Sequence, residues 1–283
     1  MNELENKIIV DYPSLGPKKC SIKYNISYQK IIWIKEKYSL LVDNKLYKDI
    51  RSNYVKNNKR KKTIHKVDEK NFINNLTKES VYLLGFIWGD GHILTSGRNN
   101  QVKIECVSED INNLRNVIDS TGDWTYNKRN RGSNKKEITV VSTSNKELCK
   151  YLIENDYKNK SNVSPNKIYY LIPEDLKKYF ILGWVDADGC FYRNDKYNTS
   201  QLYLSGSYEQ DWSVIENFYS SINIKYTIQR IVGKTSKYSC IRVTNRLSII
   251  EIGNLIYSDL IPLKRKYIKF LAIKNYGVTL ATP

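Results

Sequence analysis

Hydrophobic and polar residues follow two periods along this chain, and the changes of period mark its elements. From residue 71, a nearly all-apolar helix is followed by segments that alternate apolar and polar residues, as strands do, and by amphipathic helices. The same order returns from about residue 173. Strands are predicted near 92–96, 101–108, 124–130 and 137–143, and again near 190–196, 200–207, 224–231 and 238–245. The helices between them are predicted at Glu109–Ser120, Asn145–Tyr157, Glu209–Ile222 and Arg246–Ser258.

This internal repeat predicts an α+β fold made of two pseudo-symmetric αββαββα halves with antiparallel sheets. The strand at 101–108 shows the pattern, since Val102, Ile104 and Cys106 alternate with Gln101, Lys103 and Glu105. We therefore expect one face of each sheet to pack on helices and the other to stay polar. The halves are placed at 71–165 and 166–283.

The first 44 residues are predicted to form a small helical unit. A turn at 12–17 leads into a short helix, Lys18–Tyr24, and Ser27 can cap a second helix, Tyr28–Tyr38. Two short helices joined by a tight turn fit a helix-turn-helix that binds DNA, although a plain helical hairpin fits equally well. The exposed candidates for DNA contacts are Gln29, Lys30, Lys35 and Lys37.

Residues 45–70 are predicted to be a basic linker that follows a phosphate backbone. A solvated linker without a partner is the alternative. Its charges are Lys56, Lys59, Arg60, Lys61, Lys62 and Lys66.

Composition narrows the class of partner. The chain of 283 residues has 46 Lys and Arg against 29 Asp and Glu, a net charge of +17. Such a surplus indicates a polyanion as partner. The sequence contains no apolar run of 18 residues, so a membrane span is not expected. The five cysteines are scattered and odd in number, which favours a reducing intracellular compartment over a disulfide framework or a structural zinc site.

The helix that opens each half carries the candidate chemistry. Small residues lie four apart in both, Gly85 with Gly89 and Gly183 with Ala187, which lets two helix backbones approach closely. Each helix ends in Asp-Gly, and the two acids, Asp90 and Asp188, are 98 residues apart. If the helices pack side by side, the two carboxylates meet and can bind Mg²⁺ together with substrate phosphate. For one copy taken alone, the alternative is a common Asp-Gly turn that ends a helix and has no chemical role.

The segments Leu83–Gly91 (LLGFIWGDG) and Ile181–Gly189 (ILGWVDADG) resemble the LAGLIDADG signature of homing endonucleases. The resemblance covers about 71–283 and implies a monomer whose two sheets form a saddle on double-stranded DNA with a long, nearly asymmetric target site. It implies Mg²⁺-dependent cleavage of both strands with short 3′ overhangs, and Mn²⁺ can substitute. The metal site it implies comprises Asp90 and Asp188 with the preceding Gly89 and Ala187, and Asp186 is expected to be a helix-end partner or cap.

The resemblance also implies one catalytic lysine after the last helix of each half. Tyr157–Ser161 (YKNKS) resembles the first such element and Leu263–Tyr267 (LKRKY) the second, and Lys160 and Lys266 are the candidates. Lys158 and Lys264 remain open as alternatives. An ammonium near the scissile phosphate can offset its developing charge.

The polar sheet faces are predicted to contact DNA, since Arg and Lys suit guanine edges and Gln suits adenine. The candidates are Lys103, Glu105, Arg129 and Arg131 in the first half, and Gln201, Tyr203, Lys225, Gln229, Arg230 and Arg242 in the second.

Two other functions remain open, namely an RNA-binding maturase that assists intron splicing and a DNA-binding regulator that does not cleave. Retention of both Asp90 and Asp188 favours the nuclease, because binding alone does not need paired acids. The resemblance implies an intracellular location, either phage-infected bacterial cytoplasm or an organelle such as the mitochondrion.

Overall fold

The structure, a computed structural model, describes residues 3–43, 48, 67, 69–95, 100–132, 136–233 and 235–276. The chain divides into two compact units, Met1–Ile64 and His65–Pro283. The basic residues predicted to act in the linker, Lys59 and Arg60 among them, lie outside the described residues.

The first unit holds two helices, α1 (Glu3–Tyr24) and α2 (Tyr28–Lys37). Helix α1 bends at Gly16, whose φ of 70° is open to glycine at little cost. The sequence predicted a turn over 12–17, but the helical conformation begins at Glu3 and only Gly16 departs from it. Ser27 caps α2 by accepting a hydrogen bond from the Lys30 amide, as predicted. The small core of this unit comprises Ile8, Tyr12, Cys20, Ile31 and Ile34.

The described part of the second unit contains two four-stranded antiparallel sheets and helices packed on them, which confirms the predicted α+β fold. The first half comprises α3 (Lys70–Ile73), α4 (Lys78–Asp90), β1 (Gly91–Leu94), β2 (Gln101–Val107), α5 (Ser108–Asp119), β3 (Thr125–Arg129), β4 (Ile138–Thr143) and α6 (Lys146–Glu154). The second comprises α7 (Asn166–Tyr169), α8 (Lys177–Asp188), β5 (Gly189–Asn194), β6 (Thr199–Ser207), α9 (Ser213–Ser221), β7 (Thr227–Val232), β8 (Lys237–Val243), α10 (Arg246–Ile256) and α11 (Lys264–Lys274). Two short 3₁₀ helices, Tyr157–Asn159 and Glu174–Leu176, lie between them.

The strand order is the same in both sheets, β1-β2-β4-β3 and β5-β6-β8-β7. Gly91 pairs with Ile104 in the first sheet and Gly189 with Leu204 in the second, so the registers correspond residue by residue. The two halves therefore present equivalent positions on equivalent strands.

Two predicted starts in the second half lie three or more residues from those in the structure. Strand β7 begins at Thr227 rather than 224, because Ile224 is buried after a turn in which Asn223 has a φ of 55°. Helix α9 begins at Ser213 rather than Glu209, because Gln210 and Trp212 are buried and the Asp211 carboxylate accepts a hydrogen bond from the Ser213 amide at 2.8 Å.

Helices α4 and α8, called the motif helices below, lie at the centre of the second unit. Residues 80–88 and 179–186 are buried throughout. The first motif helix starts with a capping box in which Thr77 and Ser80 exchange hydrogen bonds, which fixes where the helix begins. An apolar surface on every side of a helix requires burial, which explains why these two elements form the core between the sheets.

Candidate functional site

The motif helices touch backbone to backbone through two glycines. A Cβ added at Gly85 would lie 2.0 Å from the carbonyl oxygen of Phe180, and one at Gly183 would lie 2.0 Å from that of Tyr82. The two contacts are reciprocal, since each helix presents its glycine to a carbonyl of the other. The small residues predicted to permit close approach therefore do so in the structure.

The contact continues to the ends of the helices, where the two acids lie. A Cβ at Gly89 would lie 2.4 Å from the Cβ of Ala187 and 3.0 Å from Oδ2 of Asp188. Asp90 and Asp188 are the last residues of their helices, and a sheet begins directly after each. The packing thus brings both carboxylates to one end of the helix pair, beside the first strand of each sheet.

The crowding changes the acidity of both carboxylates. Burial, together with the charge of Asp90, raises the pKa of Asp188 to about 6. Asp90 is exposed on one side, but loss of hydration on the other raises the pKa of its carboxyl, an effect that Lys266 and Lys160 oppose. Two anions with raised pKa values at one spot form a site that a divalent cation would stabilise.

Two lysines lie at the same end of the helix pair, in equivalent places. Lys160 donates from Nζ to the carbonyl oxygens of Gly89 at 2.5 Å and Gly91 at 2.7 Å. Lys266 donates to the equivalent carbonyl of Gly189 and lies 3.4 Å from that of Val185. Burial lowers the pKa of both ammonium groups.

These contacts separate the lysines that the sequence left open. Lys158 and Lys264 are exposed, and the contacts with the ends of the motif helices are made by Lys160 and Lys266. Lys266 is 5% exposed, an unusual burial for a lysine that requires compensating partners. The structure thus brings Asp90, Asp188, Lys160 and Lys266 together.

The segments that carry these lysines each dock on the opposite half. The Arg265 guanidinium donates to both carboxylate oxygens of Asp110 at 2.8 Å, and Asp110 belongs to the first half. In the opposite direction, Gln210 of the second half donates to the carbonyl of Val163 at 3.1 Å. Each lysine is therefore held by contacts that cross between the halves.

Asp186 was predicted to be a helix-end partner or cap. The structure corrects this, because its carboxylate is buried and does not cap the helix. It is 1% exposed and accepts hydrogen bonds from the hydroxyls of Tyr82 at 3.0 Å and Tyr257 at 2.8 Å. Burial raises the pKa of Asp186 to about 7. At the equivalent position of the first half is Trp88, which packs edge-on against Tyr157.

Sequence reasoning missed Trp184, which lies one helical turn before Asp188. Its indole donates a hydrogen bond to the Asp188 carboxylate, and the ring stacks on Trp212 with centroids 5.9 Å apart. Phe86 holds the equivalent place in the first half and has no donor. The difference between tryptophan and phenylalanine at matching motif positions was the signal available in the sequence.

The register shows which side chains share the polar face of the first sheet. Lys103 pairs with Ser142, and Thr125 pairs with the same residue from the other side. Arg129 lies on the same face, while Arg131 follows the strand and its guanidinium lies 3.1 Å from the Glu105 carboxylate. A cavity of about 510 Å³ on this face is lined by Gln101, Lys103, Thr125, Asn127, Lys128, Arg129, Val140, Ser142 and Ser144.

On the second sheet, the predicted contacts separate into two groups. Tyr203 pairs with Arg242, and Gln201 and Gln229 share their face. Lys225 is exposed and precedes β7. Arg230 lies on the opposite face with Ile228, and its Nε donates to the carbonyl of Tyr208 at 3.2 Å, so it does not join the others.

In the first unit, the predicted DNA contacts Gln29 and Lys30 are exposed on α2. The Nζ atoms of Lys30 and Lys37 lie 4.4 Å and 4.7 Å from the centroid of the Trp33 ring. Lys37 also pairs with Glu5 at 3.1 Å.

Across the residues that the structure describes, no helix has both the length and the apolar character needed to cross a membrane. The same residues contain no group of three or more His, Cys, Asp or Glu side chains that could hold a metal ion. A metal at this site would therefore draw the rest of its ligands from backbone, water or substrate.

No protein-family model matches the chain, and no curated protein matches it. Similar solved structures are LAGLIDADG homing endonucleases. I-LtrWI bound to its target DNA is 16% identical over 71% of this chain and 91% of its own, with a TM-score of 0.45. The meganuclease I-SmaMI bound to uncleaveable DNA is 13% identical over 71% and 88%, with a TM-score of 0.47. Mesophilic variants of I-DmoI are 17% identical over 65% and 97%, with a TM-score of 0.43.

Proposed function

We propose that this chain is a LAGLIDADG homing endonuclease that hydrolyses both strands of a specific DNA site. One observation carries the proposal. The paired motif helices bring Asp90 and Asp188 to the place where both sheets begin, with Lys160 and Lys266 beside them. Binding alone does not require two acids and two lysines in a partly dehydrated cluster, whereas phosphodiester hydrolysis uses both.

The residues present fit a divalent cation. Carboxylate oxygens are hard ligands of the kind Mg²⁺ prefers. Burial raises the pKa of Asp90 and Asp188 despite the nearby lysines, so a divalent cation would further stabilise the ionised pair. The carbonyl of Gly89 already accepts from Lys160, so the two carboxylates are the stronger candidates for ligands than the backbone of Gly89 or Ala187. A bound Mg²⁺ or Mn²⁺ would activate water and stabilise the leaving oxygen.

The lysines act beside that centre. Lys160 and Lys266 each hold the backbone at the end of a motif helix, which fixes the direction of the adjacent acid. Their ammonium groups offset the negative charge that builds on phosphate oxygens. Their lowered pKa values make it easier for Nζ to give up a proton.

The proposal extends to the substrate and the assembly. The substrate is double-stranded DNA with a long and nearly asymmetric site, because the two sheet faces differ in their residues. The cut leaves short 3′ overhangs, as the resemblance to the signature implies. Both acids belong to one chain, so a monomer suffices. The first unit, 1–64, is proposed to add contacts to DNA through Gln29 and Lys30 on α2.

Substitution of the acids and lysines tests the nuclease assignment. Asp90→Asn and Asp188→Asn are each expected to abolish cleavage in Mg²⁺ while binding stays within about threefold. Lys160→Met is expected to slow cleavage by about 100-fold, while the matched change Lys158→Met two residues away leaves the rate unchanged. The site can be found by incubating the chain with randomised duplex DNA and sequencing the cut ends.

The competing functions give different results in the same assay. A regulator would bind duplex DNA and leave it uncut at every Mg²⁺ and Mn²⁺ concentration. A maturase would bind folded intron RNA more tightly than any duplex in the random DNA pool. Full activity of either Asp→Asn variant would show that the substituted acid is not a metal ligand.

A further inference from the structure

The polar face of the second sheet holds an arginine with an unsatisfied hydrogen-bond donor. Among the residues that the structure describes, the buried Nε atom of Arg242 has no hydrogen-bond partner. The same guanidinium has a weak contact at Nη2, 3.9 Å from the Cys240 sulfur. A buried donor without an acceptor is costly, so such a group in a native protein needs an explanation.

Arg242 lines a cavity that is open to solvent and has room for a ligand. The cavity has a volume of about 470 Å³ and is lined by Tyr192, Gln201, Tyr203, Ser205, Tyr238, Cys240 and Arg242. None of these described lining residues is a carboxylate that could neutralise the guanidinium. The lining therefore combines one positive charge with three tyrosine rings.

The first sheet presents different chemistry at the equivalent positions. By register, Lys103 corresponds to Tyr203, and Arg129 corresponds to Ile231. Ser142 of the first sheet corresponds to Arg242. The first face thus carries its cations on the outer strand and on β2, while the second carries Arg242 on β8 between uncharged neighbours.

The edges of base pairs offer hydrogen-bond acceptors for the unsatisfied donor of Arg242. The O6 and N7 atoms of guanine are two adjacent acceptors in the major groove, and a guanidinium binds them with two parallel hydrogen bonds. The methyl group of thymine is an apolar surface that suits an aromatic ring. A phosphate would also satisfy the guanidinium, but it would do so at any sequence.

We propose that Arg242 recognises one guanine in the DNA half-site that lies on the second sheet, and that Tyr192, Tyr203 and Tyr238 contact thymine methyl groups of A·T pairs around it. This inference rests on the proposed function, because it assumes that the sheet face docks in the major groove. The guanine preference of this half-site then depends on Arg242. The other half-site is contacted by a sheet face with different residues, Lys103 and Arg129 among them.

Selection of binding sites tests the assignment. The full chain is incubated in EDTA, which leaves DNA uncut, with a pool of randomised duplexes, and the bound fraction is sequenced. The parent chain is expected to prefer guanine at one position within an A·T-rich half-site by about 10- to 100-fold. Arg242→Met is expected to reduce that preference to less than threefold while the preferences of the other half-site stay unchanged.

The register provides a matched exchange. Tyr203→Lys places on the second sheet the residue that the first sheet has at Lys103, and it is expected to create a new guanine preference at a neighbouring base pair. Arg230→Met changes an arginine on the opposite face of the same sheet and is expected to leave the selected sequence unchanged. Near-ultraviolet circular dichroism like that of the parent shows that each variant is folded.

Two results would overturn the inference while the nuclease assignment stands. One is an equal loss of affinity for all sequences in Arg242→Met, which would indicate a phosphate contact. The other is a selected half-site without the guanine in the parent chain. Failure of the parent chain to bind any duplex would overturn both the inference and the proposed function.

Discussion

At the scale of single residues, Asp186 shows how burial and hydrogen bonding oppose one another. The carboxyl is 1% exposed and faces two tyrosine hydroxyls and, further away, the ammonium of Lys266. The hydrogen bonds and the positive charge favour the ionised form, but loss of hydration favours the neutral form more strongly. The result is a pKa of about 7, well above the ordinary value of 3.8.

This raised pKa predicts a pH dependence of stability. The folded chain binds a proton at Asp186 more tightly than the unfolded chain, so its free energy of unfolding falls as the pH rises from about 4 to about 7. Asp186→Asn removes that contribution, so the variant is expected to lose less stability than the parent between pH 5 and pH 7.5. Urea unfolding in EDTA at both pH values measures the difference.

Asp259→Asn is the control for that measurement. Hydrogen bonds, first from Tyr179, lower the pKa of Asp259, so its contribution is constant above pH 5 and disappears only as the pH falls further. This variant should be destabilised equally at pH 5 and pH 7.5. If the parent and Asp186→Asn curves run parallel, the assigned ionisation of Asp186 is wrong.

Residues differ in how far the sequence could identify them. Asp90 and Asp188 could be identified because each ends a repeated motif, and Lys160 and Lys266 because short elements near them resemble those of a family. The environment of Asp186 could not be inferred, since its partners Tyr82 and Tyr257 are 104 and 71 residues away along the chain. The face of Arg230 could have been inferred from the sequence, because it directly follows Gln229 and adjacent residues of a strand point to opposite faces.

At the scale of elements, the contact between the motif helices depends on the absence of two side chains. Gly85 and Gly183 each lie against a carbonyl oxygen of the other helix, where a Cβ would be 2.0 Å from it. Backbone atoms cannot rotate away as the end of a flexible side chain can. The close approach also places Asp90 and Asp188 side by side, so the stability of the core and the geometry of the site depend on the same contact.

We therefore expect Gly85→Ala and Gly183→Ala each to destabilise the chain by about 3 kcal/mol, near the upper end for overpacking of a core. Gly233→Ala is the matched control, since its Cβ would lie 3.2 Å from the carbonyl oxygen of Ser236, near a strand end. Its free energy of unfolding is expected to stay within about 1 kcal/mol of the parent. Chemical denaturation measures all three, and a parent-like Gly85→Ala would contradict the backbone contact.

Elements with a strong repeat were predicted well, and those set by distant contacts were not. The motif helices and the four strands of each half were identified from periodicity and from the second copy. The helical segment before Gly16 was missed because Pro13 and Pro17 read as turn residues, whereas the bend is confined to one glycine. The short helix α7 has too few residues for a period to be detected.

At the scale of the whole molecule, the chain divides into two compact units after residue 64, so residues 1–64 are the segment to delete in a truncated chain. Val67 pairs with Gly122, and its carbonyl accepts a hydrogen bond from Asn145 at 2.7 Å, so the larger unit includes residues that the sequence assigned to the linker. Residues 1–64 carry 15 Lys and Arg against six Asp and Glu. Much of the positive charge of the chain therefore belongs to the smaller unit.

A chain that starts at residue 65 is expected to fold and to cleave the same site as the parent, but to bind it less tightly. Its affinity should also fall less steeply with salt, by nearly one unit of the log–log slope for each phosphate that residues 1–64 would otherwise neutralise. Binding isotherms from 50 to 300 mM KCl measure both quantities. A chain that starts at residue 71 is the comparison, and it should be less stable because it lacks Val67. Equal slopes for the parent and the shorter chain would show that 1–64 binds no phosphates.

The crossed docking of the lysine segments has a consequence for the integrity of the molecule. Asp110 is bound by Arg265 from one direction and Val163 by Gln210 from the other, and the motif helices join the halves between them. A protease that cut the chain once at the exposed Tyr170 or Leu171 would release no fragment. The two fragments would stay bound to each other through these hydrogen bonds and through the contact between the motif helices. The molecule could then be supplied as two separate polypeptides that reassemble, and the catalytic centre would form only where both are present.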